Sequence, residues 1–141
     1  MIGLYSEIAR AEIVKTRAFI AEQGYEATGG AIRQCRQALM AAGREFSNVT
    51  ASVDFFSTSG CRDLLFHVQE HRFSIPEIAR FIAQNGLAFV GFDLDHFTLQ
   101  RYVAKFPHDT AMSDLASWEV FERANPSTFS GMYQFWVQKT S

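Results

Sequence analysis

The stretch LAFVGFDL, Leu87 through Leu94, decides the fold. Leu87, Phe89, Val90, Phe92 and Leu94 make it an almost wholly apolar run of strand length. A strand of that composition is buried on both faces, so helices are expected on both sides of its sheet. The flanks agree. On the N-terminal side, Ser74 and Glu77 of SIPEI form an S-x-x-E capping box, with Pro76 in the first turn. That helix runs through Ile78, Phe81 and Ile82 and stops at Asn85-Gly86. On the C-terminal side, Asp95 caps a helix carrying Phe97, Leu99, Tyr102, Val103 and Phe106, ended by Pro107.

Further out, Ser113 or Asp114 caps a helix with Leu115, Trp118, Phe121 and Ala124, and GMYQFWVQK reads as a strand. At the other end, residues 2–5 read as a short strand and Ser6 as an N-cap. Ile8, Ala9, Ile13, Val14, Ala18, Phe19 and Ile20 then follow helical spacing toward Gly24. Thr28 caps a second helix with Ile32, Cys35, Leu39 and Met40, closed by Gly43. Residues 44–57 suggest one or two turns, and Thr58 opens a further helix with Cys61, Leu64, Leu65 and Val68. The expected class is α/β, α+β-like: three strands and about six helices in a single domain, residues 1–141.

Composition narrows the function. Lys plus Arg number 13 and Asp plus Glu 15, for a net charge of −2, and no stretch clusters the basic residues. Nucleic acid and anionic membrane both require a basic face and are not expected partners. No apolar run approaches a membrane span, and no signal-peptide pattern opens the chain, so the expected location is cytoplasmic. Cys35 and Cys61 then read as reduced, buried and structural. Fourteen phenylalanines supply a core and a surplus for an interface or an apolar pocket.

Four blocks carry a resemblance: IGLYSEIAR (2–10), FFSTSGCRDLLFHVQEHRF (55–73), GLAFVGFDLD (86–95) and TFSGMYQFWVQK (128–139). Together they resemble the C-terminal half of a bacterial class I S-adenosylmethionine-dependent methyltransferase, of the group that carries tetratricopeptide repeats. In that fold the last strand inserts antiparallel between the fifth and sixth. The resemblance therefore implies a partial Rossmann-like sheet of order 1-3-2, with the third strand central and antiparallel. It places residues 6–84 on the substrate side. It also implies that the strands carrying the cofactor site lie outside this chain. A glycine-rich turn after a strand and a later acidic residue would be needed for the cofactor. The paired glycines here, Gly29-Gly30, follow a helix cap instead. No cofactor, no cofactor-binding residue and no catalytic residue is assigned, and enzymatic activity is not expected.

Other chemistry has weaker signals. His67-Val68-Gln69-Glu70-His71 matches H-x-x-E-H, a zinc-hydrolase pattern that requires an unbroken helix and a third ligand. The capping box at Ser74 ends the preceding helix near His71, so no metal is assigned. The same segment offers a candidate substrate pocket of Phe55, Phe56, Arg62, Asp63, Phe66, His67, Glu70 and His71. It mixes aromatic and titratable side chains as ligand sites do. A solvated face of local ion pairs explains the same charges. Tyr5 and Ser6 end the first strand, where ligands gather in open sheets, yet strand end plus helix cap accounts for them too. Trp118 and Trp136 sit on apolar faces, as core or interface. Two readings of function follow. One is a stand-alone, non-catalytic methyltransferase-like module that forms a homo-oligomer through an exposed edge strand at residues 2–5. The other is a small-molecule binding protein with its pocket in the helical region 44–84. A partial enzyme completed by a second chain is a third possibility.

Overall fold

The computed structural model describes residues 1–66 and 69–141. These fall into two compact units, Ala11–Glu70 and Met1–Arg10 with His71–Ser141.

The first unit is helical. It contains α1 (Ala11–Gln23), α2 (Gly29–Ala41), α3 (Ser47–Thr50) and α4 (Thr58–Cys61). Short 3-10 turns, Gly43–Phe46 and Val53–Phe56, flank α3, and α4 runs on into a π-type turn, Arg62–Phe66. Thr28 caps α2 by accepting from the Ala31 N–H, as its sequence position requires. α4 opens at Thr58, as expected, and is capped by Ser57, whose side chain accepts from the Gly60 N–H. Gly43 ends the run at φ 67°, a left-handed conformation that glycine adopts without strain. The core is built from Ile20, Ile32, Leu39, Phe46, Phe55 and Leu65 together with both cysteines. Cys35 and Cys61 are buried and not disulfide-linked. Burial, and secondarily the neighbouring Cys61, pushes the Cys35 thiol up to about 11, and burial raises Cys61 as well. Neither is poised as a thiolate nucleophile.

The second unit is a sheet with helices on one face. Its strands are β1 (Ile2–Ser6), β2 (Arg72–Phe73), β3 (Leu87–Phe92) and β4 (Tyr133–Lys139). Its helices are α5 (Ile75–Gln84), α6 (His96–Lys105) and α7 (Leu115–Ala124). The sheet has four strands in the order β2-β1-β4-β3, where three were expected, and the described helices number seven. β4 is antiparallel to both neighbours. The added strand, β2, runs parallel to β1 through only two pairs, Tyr5 with Arg72 and Ser6 with Phe73. Two residues between a loop and a capping box leave no periodic pattern to read.

β3 corrects the expectation of burial on both faces. Phe89 pairs with Val137 and Gly91 with Trp136, so Val90 is an extra residue in a β-bulge. The bulge returns Phe92 to the face that Phe89 occupies. Their rings meet edge-on at 4.9 Å, and each also contacts Phe135. Leu87, Phe89, Phe92 and Leu94 all pack into one core, while Val90 is 48% exposed. Helices cover that core face: Ile75, Ile78 and Ile82 come from α5, Tyr102 from α6, and Trp118 and Phe121 from α7. Tyr102 stacks on Trp118 at 3.7 Å, and the Trp118 indole N–H donates to Met112 O at 2.8 Å. Trp118 is therefore core, whereas Trp136 points to the other face and is 51% exposed.

Candidate functional site

Residues on β1 project alternately to two sides of the sheet. Ile2 and Leu4 face the helices with their β4 partners Phe135 and Tyr133. α5 crosses over them because its apolar positions recur at Ile75, Ile78 and Ile82. Between helix and sheet lies a cavity of about 190 Å3 with almost purely apolar walls, lined by Ile2, Leu4, Phe73, Ile78, Phe81 and Phe135. Glu77 also borders it, but its carboxylate is held by the Ser74 N–H and hydroxyl, both at 2.8 Å. Those bonds, the backbone one first, hold Glu77 below the usual carboxylate range.

The backbone of β1 adds a second feature. The Glu7 N–H donates to Phe73 O at 2.9 Å, toward β2. Alternation along the strand points the Gly3 N–H and C=O to that same side, away from β4. β2 begins opposite Tyr5, so Ile2–Leu4 have no strand partner on the outer side among the described residues. The edge expected at residues 2–5 narrows to residues 2–4.

At the end of β1 sits a polar cluster inside the core. Ser6, Glu122 and Tyr133 are each at most 1% exposed. The Ser6 hydroxyl donates to Glu122 Oε1, and the Tyr133 hydroxyl donates to Oε2 at 2.7 Å. Ser6 Oγ also accepts from the Ala9 N–H at 3.1 Å, but no helix begins there, so Ser6 is not the N-cap that the sequence suggests. It closes a turn, and α1 itself starts only at Ala11. Burial raises the Glu122 carboxyl above its ordinary value, against the lowering by the Ser6 and Tyr133 hydroxyls. Burial likewise drives the Tyr133 phenol upward. Nothing local singled out Glu122, though Leu115, Trp118 and position 122 fall on one helical stripe, and an acid on an apolar stripe is the available signal.

The candidate pocket of residues 55–71 is distributed more widely. Phe55 is wholly buried in the helical core, and Phe56, its ring edge-on at 6.0 Å, is 65% exposed. Phe66 packs against the same core. Arg62 is half-buried and Asp63 exposed. Glu70 forms a buried ion pair with Arg17 at 2.9 Å. Arg17 also donates to Leu64 O from Nε at 3.2 Å and from Nη2 at 2.8 Å, while its Nη1 is buried without a hydrogen-bond partner among the described residues. His71 is exposed and belongs to the sheet unit. His67 lies outside the described residues. Gln69–His71 are not helical. Among the described residues no cluster of three or more His, Cys, Asp or Glu could hold a metal ion, and no helix is long and apolar enough to cross a membrane.

A second cavity, of about 350 Å3, is lined by Lys105, Phe106, His108, Asp109, Asp114 and Ser117. Its carboxylates are engaged: Asp109 accepts from the Tyr102 hydroxyl at 2.5 Å and from the Ser113 and Asp114 N–H groups. Asp114 caps α7 through the Ala116 N–H and accepts from the Ser117 hydroxyl. Compared with known proteins, the chain matches no family model and no curated protein.

Proposed function

We propose that the chain is a non-catalytic, methyltransferase-like module that self-associates through the outer edge of β1. The observation that carries this reading is the outer side of β1 at Ile2–Leu4, where the Gly3 N–H and C=O face away from β4 with no strand partner among the described residues, beside an apolar cavity. An exposed strand edge is a template for pairing with another chain. Antiparallel pairing of Gly3 with Gly3 of a second copy, across a two-fold axis, joins the two sheets and brings the Ile2 and Leu4 side chains of both copies onto one face. The antiparallel placement of β4 between β1 and β3 supports reading the sheet as part of a Rossmann-like methyltransferase fold. On this reading the chain binds no S-adenosylmethionine. Gly3→Pro removes the outward N–H, as proline permits on an edge strand, and the Cβ it adds falls 2.9 Å from Met132 Sδ, in a flexible side chain that must move aside. Light scattering at micromolar concentration is expected to give twice the 15.9 kDa chain mass for the parent and the single mass for Gly3→Pro. A monodisperse monomer for the parent protein refutes the proposal.

A second reading, a small-molecule site in the helical unit beside residues 55–70, draws on one observation. The buried Arg17 Nη1 lacks a hydrogen-bond acceptor among the described residues. A buried donor of that kind is suited to a ligand oxygen. Thermal shift against a panel of carboxylate and phosphate metabolites tests it, and the absence of any shift that Arg17→Met abolishes counts against it.

A further inference from the structure

We propose that Ser6, Glu122 and Tyr133 form a proton-operated clasp, in which the neutral Glu122 carboxyl locks β1, α7 and β4 together and its ionisation loosens them. The three side chains come from three different elements and meet where water does not reach. A neutral carboxyl in this position completes a circuit. Its O–H donates to one hydroxyl oxygen, and its carbonyl accepts from the other hydroxyl. On ionisation the proton leaves to solvent, and a full negative charge remains between two neutral hydroxyls in an aromatic core. Two hydroxyl donors stabilise that charge but do not replace its hydration.

Among the described residues, the two hydrogen bonds to the Glu122 carboxyl come from neutral hydroxyls. On α7 itself, Arg123, tied to Glu119 at 2.7 Å, favours the charged form of Glu122, and Glu119 opposes it. From α6, Arg101 lies over the Phe121 ring at the same end of α7 as Glu122, and its guanidinium is engaged there by Asn125 Oδ1. From α5, Glu77 is held by Ser74 at the helix start, and Arg80 is exposed. Next to β1, Glu7 adds negative charge near Tyr133. Burial is the leading influence on Glu122 and raises it. A carboxyl with a folded pKa above its unfolded value gives stability that is complete below the unfolded pKa and is lost as pH rises through the folded one. The relevant window therefore opens above about pH 4.5.

Urea unfolding of the full chain, followed by tryptophan fluorescence from pH 5 to pH 8, tests the clasp. The folding constant is expected to fall by about tenfold for each unit by which the folded pKa exceeds the unfolded one. Glu122→Gln, which keeps the shape and has no proton to lose, is expected to remove that fall. Parallel pH profiles for parent and Glu122→Gln overturn the proposal. Tyr133→Phe provides a second arm should Glu122→Gln not fold. It removes one donor to the charged form, so its loss of stability toward pH 8 must exceed that of the parent, and an equal or smaller loss also overturns the proposal.

Discussion

Deleting Val90 turns the bulge in β3 into a measurable difference. Val90 is the extra residue between Phe89, opposite Val137, and Gly91, opposite Trp136. Its removal joins Phe89 to Gly91 with regular alternation, so Phe92 still enters the core opposite Phe135. The cost is then limited to the buried half of one valine, since Val90 is 48% exposed, or about 1 kcal/mol. Phe92→Ala sets the opposite limit. Phe92 is 8% exposed, and its ring lies within 6 Å of Phe89, Trp118, Phe129, Tyr133 and Phe135, so its truncation costs about 3–5 kcal/mol. Urea unfolding followed through buried Trp118 reads both variants on one scale. If Val90 were packed between two helical layers, as an all-apolar strand suggests, its deletion would empty a core site and rotate half the strand. A deletion as costly as Phe92→Ala refutes the bulge.

Two further outcomes follow from charged groups. Arg17→Met withdraws a guanidinium from Glu70, which is 6% exposed, and from Leu64 O, at an expected cost of about 3 kcal/mol in urea unfolding. Adding Glu70→Leu is expected to recover part of that loss, and strict additivity of the two changes counts against a coupled pair. Burial pushes Asp109 upward, but donation from Tyr102 and from the Asp114 and Ser113 N–H groups outweighs it and holds the carboxyl below the ordinary range. Its contribution is therefore present above the unfolded pKa, about 3.9, and is lost as pH falls through the lower folded value. Asp109→Asn is expected to flatten the acid limb of the stability profile below about pH 4, and an unchanged limb refutes that assignment.

Capping chemistry was readable because it is local. Thr28, Asp95 and Asp114 each accept a backbone N–H two or three residues ahead, Glu77 accepts the Ser74 N–H three residues behind, and each cap stands where its helix begins. β2 and the bulge were not readable, for two different reasons. Arg72 and Phe73 become a strand only by meeting Tyr5 and Ser6, a pairing far apart in sequence and too short for period-two alternation to register. LAFVGFDL has the same composition whether it is buried on two faces or bulged onto one, and only the register against β4 separates the two cases.

The candidate site divides along the same line. A pair such as Phe55-Phe56 carries no sign of which ring the core will take, and the core took Phe55 entirely while leaving Phe56 outside. Ser6 reads as an N-cap because an oxygen at that spacing can accept an N–H, and it does accept from Ala9. Its proton, however, goes to Glu122, a residue 116 positions away. A hydroxyl both accepts and donates, and local sequence reports only the nearer bond. The buried cluster thus includes one residue whose local bond closes a turn and not a helix, and an acid placed on an apolar stripe. The same β1 that offers its outer backbone at Gly3 is anchored at its other end by that acid. Any change in the clasp therefore acts on the strand proposed to pair with a second copy.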